Sequence, residues 1–144
     1  MKTLTFMLLT LITLTPIIDN ANATPPSVTT KKATIKVTSK KETSQKDKST
    51  SKLIFTTLPA DGLKINADGP WKLVIKSVTG GKVATTEFQR PEWKEEIAGF
   101  EIPLQADKFS KDVEVAFKMT TFVCTKDKST CYREVVEDKA KVSL

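Results

Sequence analysis

Between residues 52 and 144 apolar and polar side chains alternate with a period of two, in short runs separated by turn residues. The runs cover 53–58, 62–66, 71–78, 82–88, 100–104, 112–123 and 132–142. Between them stand Ala60-Asp61-Gly62, Ala67-Asp68-Gly69-Pro70, Thr79-Gly80-Gly81 and Ala106-Asp107. Short runs rich in Val, Ile, Phe and Thr and bounded by Gly, Pro and Asp predict strands, and this many at this spacing predict an all-β antiparallel sandwich. Gly80-Gly81 suits a hairpin turn, where positive φ is needed. The stretch 89–96 has room for one helical turn, with Pro91 early and acidic residues after it.

Strand side chains alternate between faces, so parity predicts direction. In 112–124 the inward set is Val113, Val115, Phe117, Met119, Thr121 and Val123, which leaves Cys124 on the solvent-leaning face with Lys118 and Thr120. In the last run Tyr132, Val136, Ala140, Val142 and Leu144 point inward, and Cys131, Arg133, Val135, Glu137, Lys139 and Lys141 outward. Consecutive antiparallel strands joined by residues 125–130 then set Cys124 opposite Cys131 on one exposed face. Opposed residues lie about 4.5–5.5 Å apart at Cα, within reach of a disulfide. The pentapeptide between them, Lys126-Asp-Lys-Ser-Thr130, recurs as Lys46-Asp-Lys-Ser-Thr50 and reads as solvated linker chemistry.

Upstream of residue 52 the pattern changes. One lysine, an apolar run over 4–18 and the small-residue triplet Ala21-Asn22-Ala23 together predict a secretory signal peptide, 1–23, cleaved after Ala23. The run is shorter than the ~20 apolar residues that span a bilayer. Export places the chain in the periplasm or outside the cell and permits a disulfide. Residues 24–51 carry seven lysines against Glu42 and Asp47 and are otherwise dominated by Thr and Ser, which predicts a flexible basic linker. Within it, Ile35 and Val37 alternate with polar neighbours in the manner of a short edge strand. Most of the net charge of +6 therefore belongs to the tail. A basic tail can make weak contacts with an anionic envelope surface. It has no aromatic residue for stacking bases, and export argues against nucleic acid.

The chain contains no histidine, which removes Ser-His-Asp and Cys-His nucleophile systems. Two cysteines alone do not complete a zinc site, and no phosphate-cradling glycine loop or other cofactor motif is present. Glu92, Glu95 and Glu96, and Glu134, Glu137 and Asp138, read as solvated surface. The chemistry that remains is Cys124 with Cys131, either a structural staple or a redox pair. As a staple, so short a loop stabilises by on the order of 2–3 kcal/mol. As a redox pair, Lys126, Lys128 and Arg133 favour the thiolate, with Asp127 and Glu134 partly cancelling them.

The stretches "ADGLKINADGPWKLVI" (60–75) and "VEVAFKMTTFVCTKDKSTCYRE" (113–134) resemble the N-terminal periplasmic domain of the thiol:disulfide interchange protein DsbD and related β-sandwich domains. The resemblance lies in Gly62-Leu63-Lys64-Ile65-Asn66 and in a strand that runs into a short Cys-to-Cys hairpin followed by Tyr132, and it covers about 53–144. It implies an immunoglobulin-like sandwich over 52–144, with Cys124 and Cys131 as a redox pair that exchanges electrons with a thioredoxin-like exported oxidoreductase. It also implies an aromatic shield over the pair, for which Phe122 and Tyr132 are the nearest residues. The alternative is a non-catalytic envelope binding module with a structural disulfide.

Overall fold

The structure, a computed structural model, describes residues 31–43 and 49–144. The expected signal peptide and tail residues 24–30 and 44–48 lie outside the described residues. The described chain forms ten strands: β1 (Ala33–Thr43), β2 (Ser49–Pro59), β3 (Leu63–Ile65), β4 (Lys72–Thr79), β5 (Gly81–Lys82), β6 (Glu87–Gln89), β7 (Trp93–Lys94), β8 (Gly99–Ala106), β9 (Asp112–Thr125) and β10 (Cys131–Ser143). They build two antiparallel sheets packed as a β-sandwich. One runs β1-β2-β8-β5, with β7 also on β8, and the other runs β10-β9-β4-β6, with β3 also on β9.

The alternation fixes the core. From the first sheet Leu53, Phe55, Phe100, Ile102 and Leu104 point inward, and they meet Leu73, Ile75, Val113, Val115, Phe117 and Met119 of the second. The Phe55 and Phe117 rings join the sheets edge to face, with centroids 5.1 Å apart. Thr121, the polar member of the inward set, is fully buried, and its hydroxyl donates to the Glu134 carbonyl at 3.4 Å.

Three expectations change. Residues 33–43, assigned by composition to a linker ending at 51, form β1, so the sandwich begins well before Lys52. β1 pairs with β2 along its whole length, from Ala33 opposite Pro59 to Thr43 opposite Ser49, and Ile35 and Val37 pack against the core. That ladder and the apolar contacts offset the ordering cost on which the linker expectation rested. Secondly, Glu134 is not solvated surface: its carboxylate accepts the backbone N–H groups of Lys32 and Ala33, the latter at 2.9 Å. Parity points it inward at the margin where β1 runs beside β10, and it ties the two sheets together there.

The third concerns Gly80-Gly81, which does not close a hairpin. Gly80 has φ of +84°, as expected, but the chain crosses over and β5 pairs with β8 of the opposite sheet, while β4 pairs with β6. A Cβ on Gly80 would stand 2.6 Å from the Asp112 carbonyl oxygen, so the crossing depends on glycine. The helical turn expected in 89–96 is present as two short 3₁₀ turns, Arg90–Glu92 and Glu95–Ile97, on either side of β7.

Two substitutions test this account by urea unfolding. Phe117→Ala is expected to cost about 3–5 kcal/mol, as a large aromatic removed from between two sheets. Glu134→Ala leaves two backbone donors without their acceptor and is expected to cost about 1–2 kcal/mol. A loss under 0.5 kcal/mol for Glu134→Ala would show that β1 is not held through this carboxylate.

Candidate functional site

Cys124 and Cys131 are direct partners in the β9–β10 register and form a disulfide, as parity predicted. The Thr125 N–H donates to the Thr130 carbonyl at 2.8 Å. The 125–130 pair is thus hydrogen-bonded, and the neighbouring 124–131 pair is the narrow kind, with Cα atoms 4.0 Å apart.

The two cysteines are not equally exposed. Both residues were expected to lean toward solvent, yet Cys124 is only 3% exposed, whereas Cys131 is exposed. The cause is position within the sheet. β9 is flanked on both sides, and β3 sets Lys64 directly beside Cys124. β10 is the edge strand, so Cys131 has a strand neighbour on one side only. The row across the sheet reads Lys64, Cys124, Cys131.

The disulfide lies in a cleft of about 310 Å³ whose lining includes Lys64, Asn66, Asp68, Glu95 and Lys128. One wall is the loop between β3 and β4. It is tied down where the Asn66 N–H donates to the Phe122 carbonyl and where the Trp71 indole N–H donates to the Asn66 carbonyl, both at 2.9 Å. Gly69 rests directly on the Phe122 ring, where a Cβ would fall 2.3 Å from the ring carbon Cγ. Trp71 stacks on Trp93 with centroids 5.0 Å apart and meets Phe122 edge to face. This aromatic cluster packs against the wall. Neither expected shield covers the sulfurs: Phe122 packs under the loop, and the Tyr132 ring carries the Lys32 ammonium at 5.0 Å. The cleft lining holds no aromatic residue.

The turn between the cysteines is organised rather than linker-like. Asp127 Oδ1 accepts the Thr125 hydroxyl, the Ser129 N–H at 3.1 Å and the Ser129 hydroxyl at 2.9 Å. The Thr130 N–H donates to Thr125 Oγ1 at 3.1 Å, and Lys128 takes a positive φ of 61° to complete the turn. The Lys64 ammonium donates to the Lys126 carbonyl and fastens the turn to β3.

The charge balance around the sulfurs therefore differs from the one the sequence suggested. Glu134 is committed to β1, and Asp127 to its own turn. Lys64, Asp68 and Glu95 stand 60, 56 and 29 residues before Cys124 in sequence, and they arrive through the β3–β9 pairing, the β3–β4 loop and the second 3₁₀ turn respectively. Alternation puts Lys64 on the outer face of β3. No local signal tells that β3 would lie against β9.

No protein-family model, curated protein or solved structure matches this chain.

The Asp127 carboxyl is held down from 3.8 to about 2, chiefly by the Thr125 hydroxyl and then by the Ser129 N–H and hydroxyl. Because the folded value is depressed, the turn is fully supported above the unfolded value near 4 and loses that support as pH falls through about 2. An NMR titration is expected to show the Ser129 amide shifting with a midpoint near pH 2, and Asp127→Asn is expected to abolish the step. A midpoint near 4 would show that these hydrogen bonds do not hold the carboxylate.

Proposed function

We propose that this chain is an exported thiol-disulfide exchange module whose Cys124–Cys131 pair relays electrons to or from a thioredoxin-like oxidoreductase. The observation that carries the proposal is the asymmetry of the pair, with residue Cys131 exposed on the edge strand and residue Cys124 buried beside β3. The likeness of residues 60–75 and 113–134 to the periplasmic domain of DsbD points the same way, and the predicted signal peptide supplies the compartment.

In the reducing direction, a partner thiolate attacks Sγ of Cys131 in line with the disulfide. A partner–Cys131 bond forms, the Cys131–Cys124 bond breaks, and Cys124 leaves as a thiolate. Lys64 neighbours Cys124 in the register row, and its ammonium, which donates to the Lys126 carbonyl while the disulfide is closed, would stabilise that charge by turning to it. The partner's second thiolate then attacks its own sulfur in the mixed disulfide and releases Cys131. Two electrons pass to the pair, which takes up two protons as the thiolates neutralise, and the partner becomes the disulfide. The reverse sequence oxidises the pair.

Single-cysteine variants test the assignment. In Cys124→Ser the remaining Cys131 is expected to react with an aromatic disulfide reagent about 100-fold faster than Cys124 does in Cys131→Ser, and to trap a thioredoxin-like protein as a mixed disulfide. The wild-type pair is expected to be more oxidising than about −300 mV. A potential well below that value, with no trapped adduct, would instead make the bond a staple in a non-catalytic envelope module.

A further inference from the structure

On the outer face of the β10-β9-β4-β6 sheet, next to the disulfide, a second cleft of about 270 Å³ is lined by Lys72, Val74, Lys118, Thr120 and Arg133. Three strands contribute to it. Lys118 and Arg133 come from the outward sets of β9 and β10, and Lys72 stands opposite Thr120 in the β4–β9 register. Of the three cations, Lys72 is paired with Glu87 at 2.6 Å. Neither Lys118 nor Arg133 takes part in a direct ion pair among the described residues. Glu137 stands directly opposite Lys118 in the β9–β10 register, and its carboxylate is bonded to Lys76. The lining of the cleft thus holds three cations and no carboxylate, while Glu87 and Glu137 stand at its border, each bonded to a lysine.

Arg133 marks the end of the site nearer the disulfide. Arg133 is two residues from Cys131 on the same strand face, about 7 Å along the strand. Val135, 42% exposed, follows it and stands opposite Thr120, so an apolar spot lies within the cationic surface. We propose that this surface is the docking site for the exchange partner, and that it selects a partner with acidic side chains close to its reactive cysteine. The inference rests on the exchange function proposed above. A carboxylate of the partner enters the cleft between Lys118 and Arg133, an apolar side chain covers Val135, and the partner's thiolate is thereby set against Cys131. Charge complementarity of this kind acts mainly on the encounter rate and on the choice of partner.

The test uses two reduced peptides of equal length, each with a Cys-x-x-Cys dithiol, one flanked by three Asp and the other by three Lys. The rate at which each reduces the full chain's disulfide is divided by the rate with dithiothreitol, which is uncharged. At low ionic strength the acidic peptide is expected to be about 10-fold faster than the basic one, and in 0.5 M salt the two are expected to agree within about 2-fold, because screening then acts over a few Å. Lys118→Glu with Arg133→Glu is expected to reverse the preference. Lys82→Glu with Lys108→Glu makes the same change in net charge away from the cleft and is expected to keep it. Equal peptide rates, or a preference lost equally in both double variants, would overturn the docking proposal while dithiothreitol still reduces the pair. Equal peptide rates with co-sedimentation on anionic lipid vesicles would also overturn it and reassign the patch to a membrane surface. A disulfide that dithiothreitol cannot reduce would overturn the exchange function and the docking proposal with it.

Discussion

The register of β9 is the constraint on which the other features depend. This strand pairs with β10 on one side and with β4 and β3 on the other, so every side chain of the disulfide site is placed relative to it. With a side-chain period of two, Val115, Phe117 and Met119 must point inward, and Lys118, Thr120 and Cys124 must then point outward. A slip of one residue would put three charged or polar groups into the space between the sheets. Core burial therefore fixes which face carries the sulfurs and which neighbours they have.

The same pairing makes the two sides of the hairpin chemically different. Interior strands cover their outward residues with neighbours, whereas an edge strand leaves one flank bare. β10 is such an edge, and β1 runs along it without extending the sheet, tied through Glu134. That contact occupies part of the margin to which another strand could otherwise add. It leaves the outward row of Cys131, Arg133 and Val135 open.

Much of this was legible in the chain. Alternation in 112–123 and 132–142 predicted a hairpin, its inward set and the opposition of the two cysteines. It could not predict that Cys124 would be covered, because burial of an outward residue depends on β3, which lies far away in sequence. The alternation of Ile35 and Val37 showed an edge strand in 24–51, but composition hid the full length of β1, since strands that face solvent on one side carry Thr, Ser and Lys as linkers do. Gly80 was legible as a positive-φ position. Where the chain went after it was decided by the partner available on β8. Asp127 looked like one more solvated charge, and its role appears only when Thr125, Ser129 and Thr130 are seen closing on it.

The Asp127 turn has a further consequence. The ladder and the turn hold residues 124 and 131 together by hydrogen bonds that owe nothing to the bond between the sulfurs. After reduction the two thiols remain neighbours, and each sees the other at an effective concentration far above that of any thiol in solution. Closing the ring again requires almost no loss of chain freedom. In the proposed exchange, a mixed disulfide on Cys131 would accordingly have its resolving group in place from the moment it forms, and the adduct would be short-lived unless Cys124 were removed.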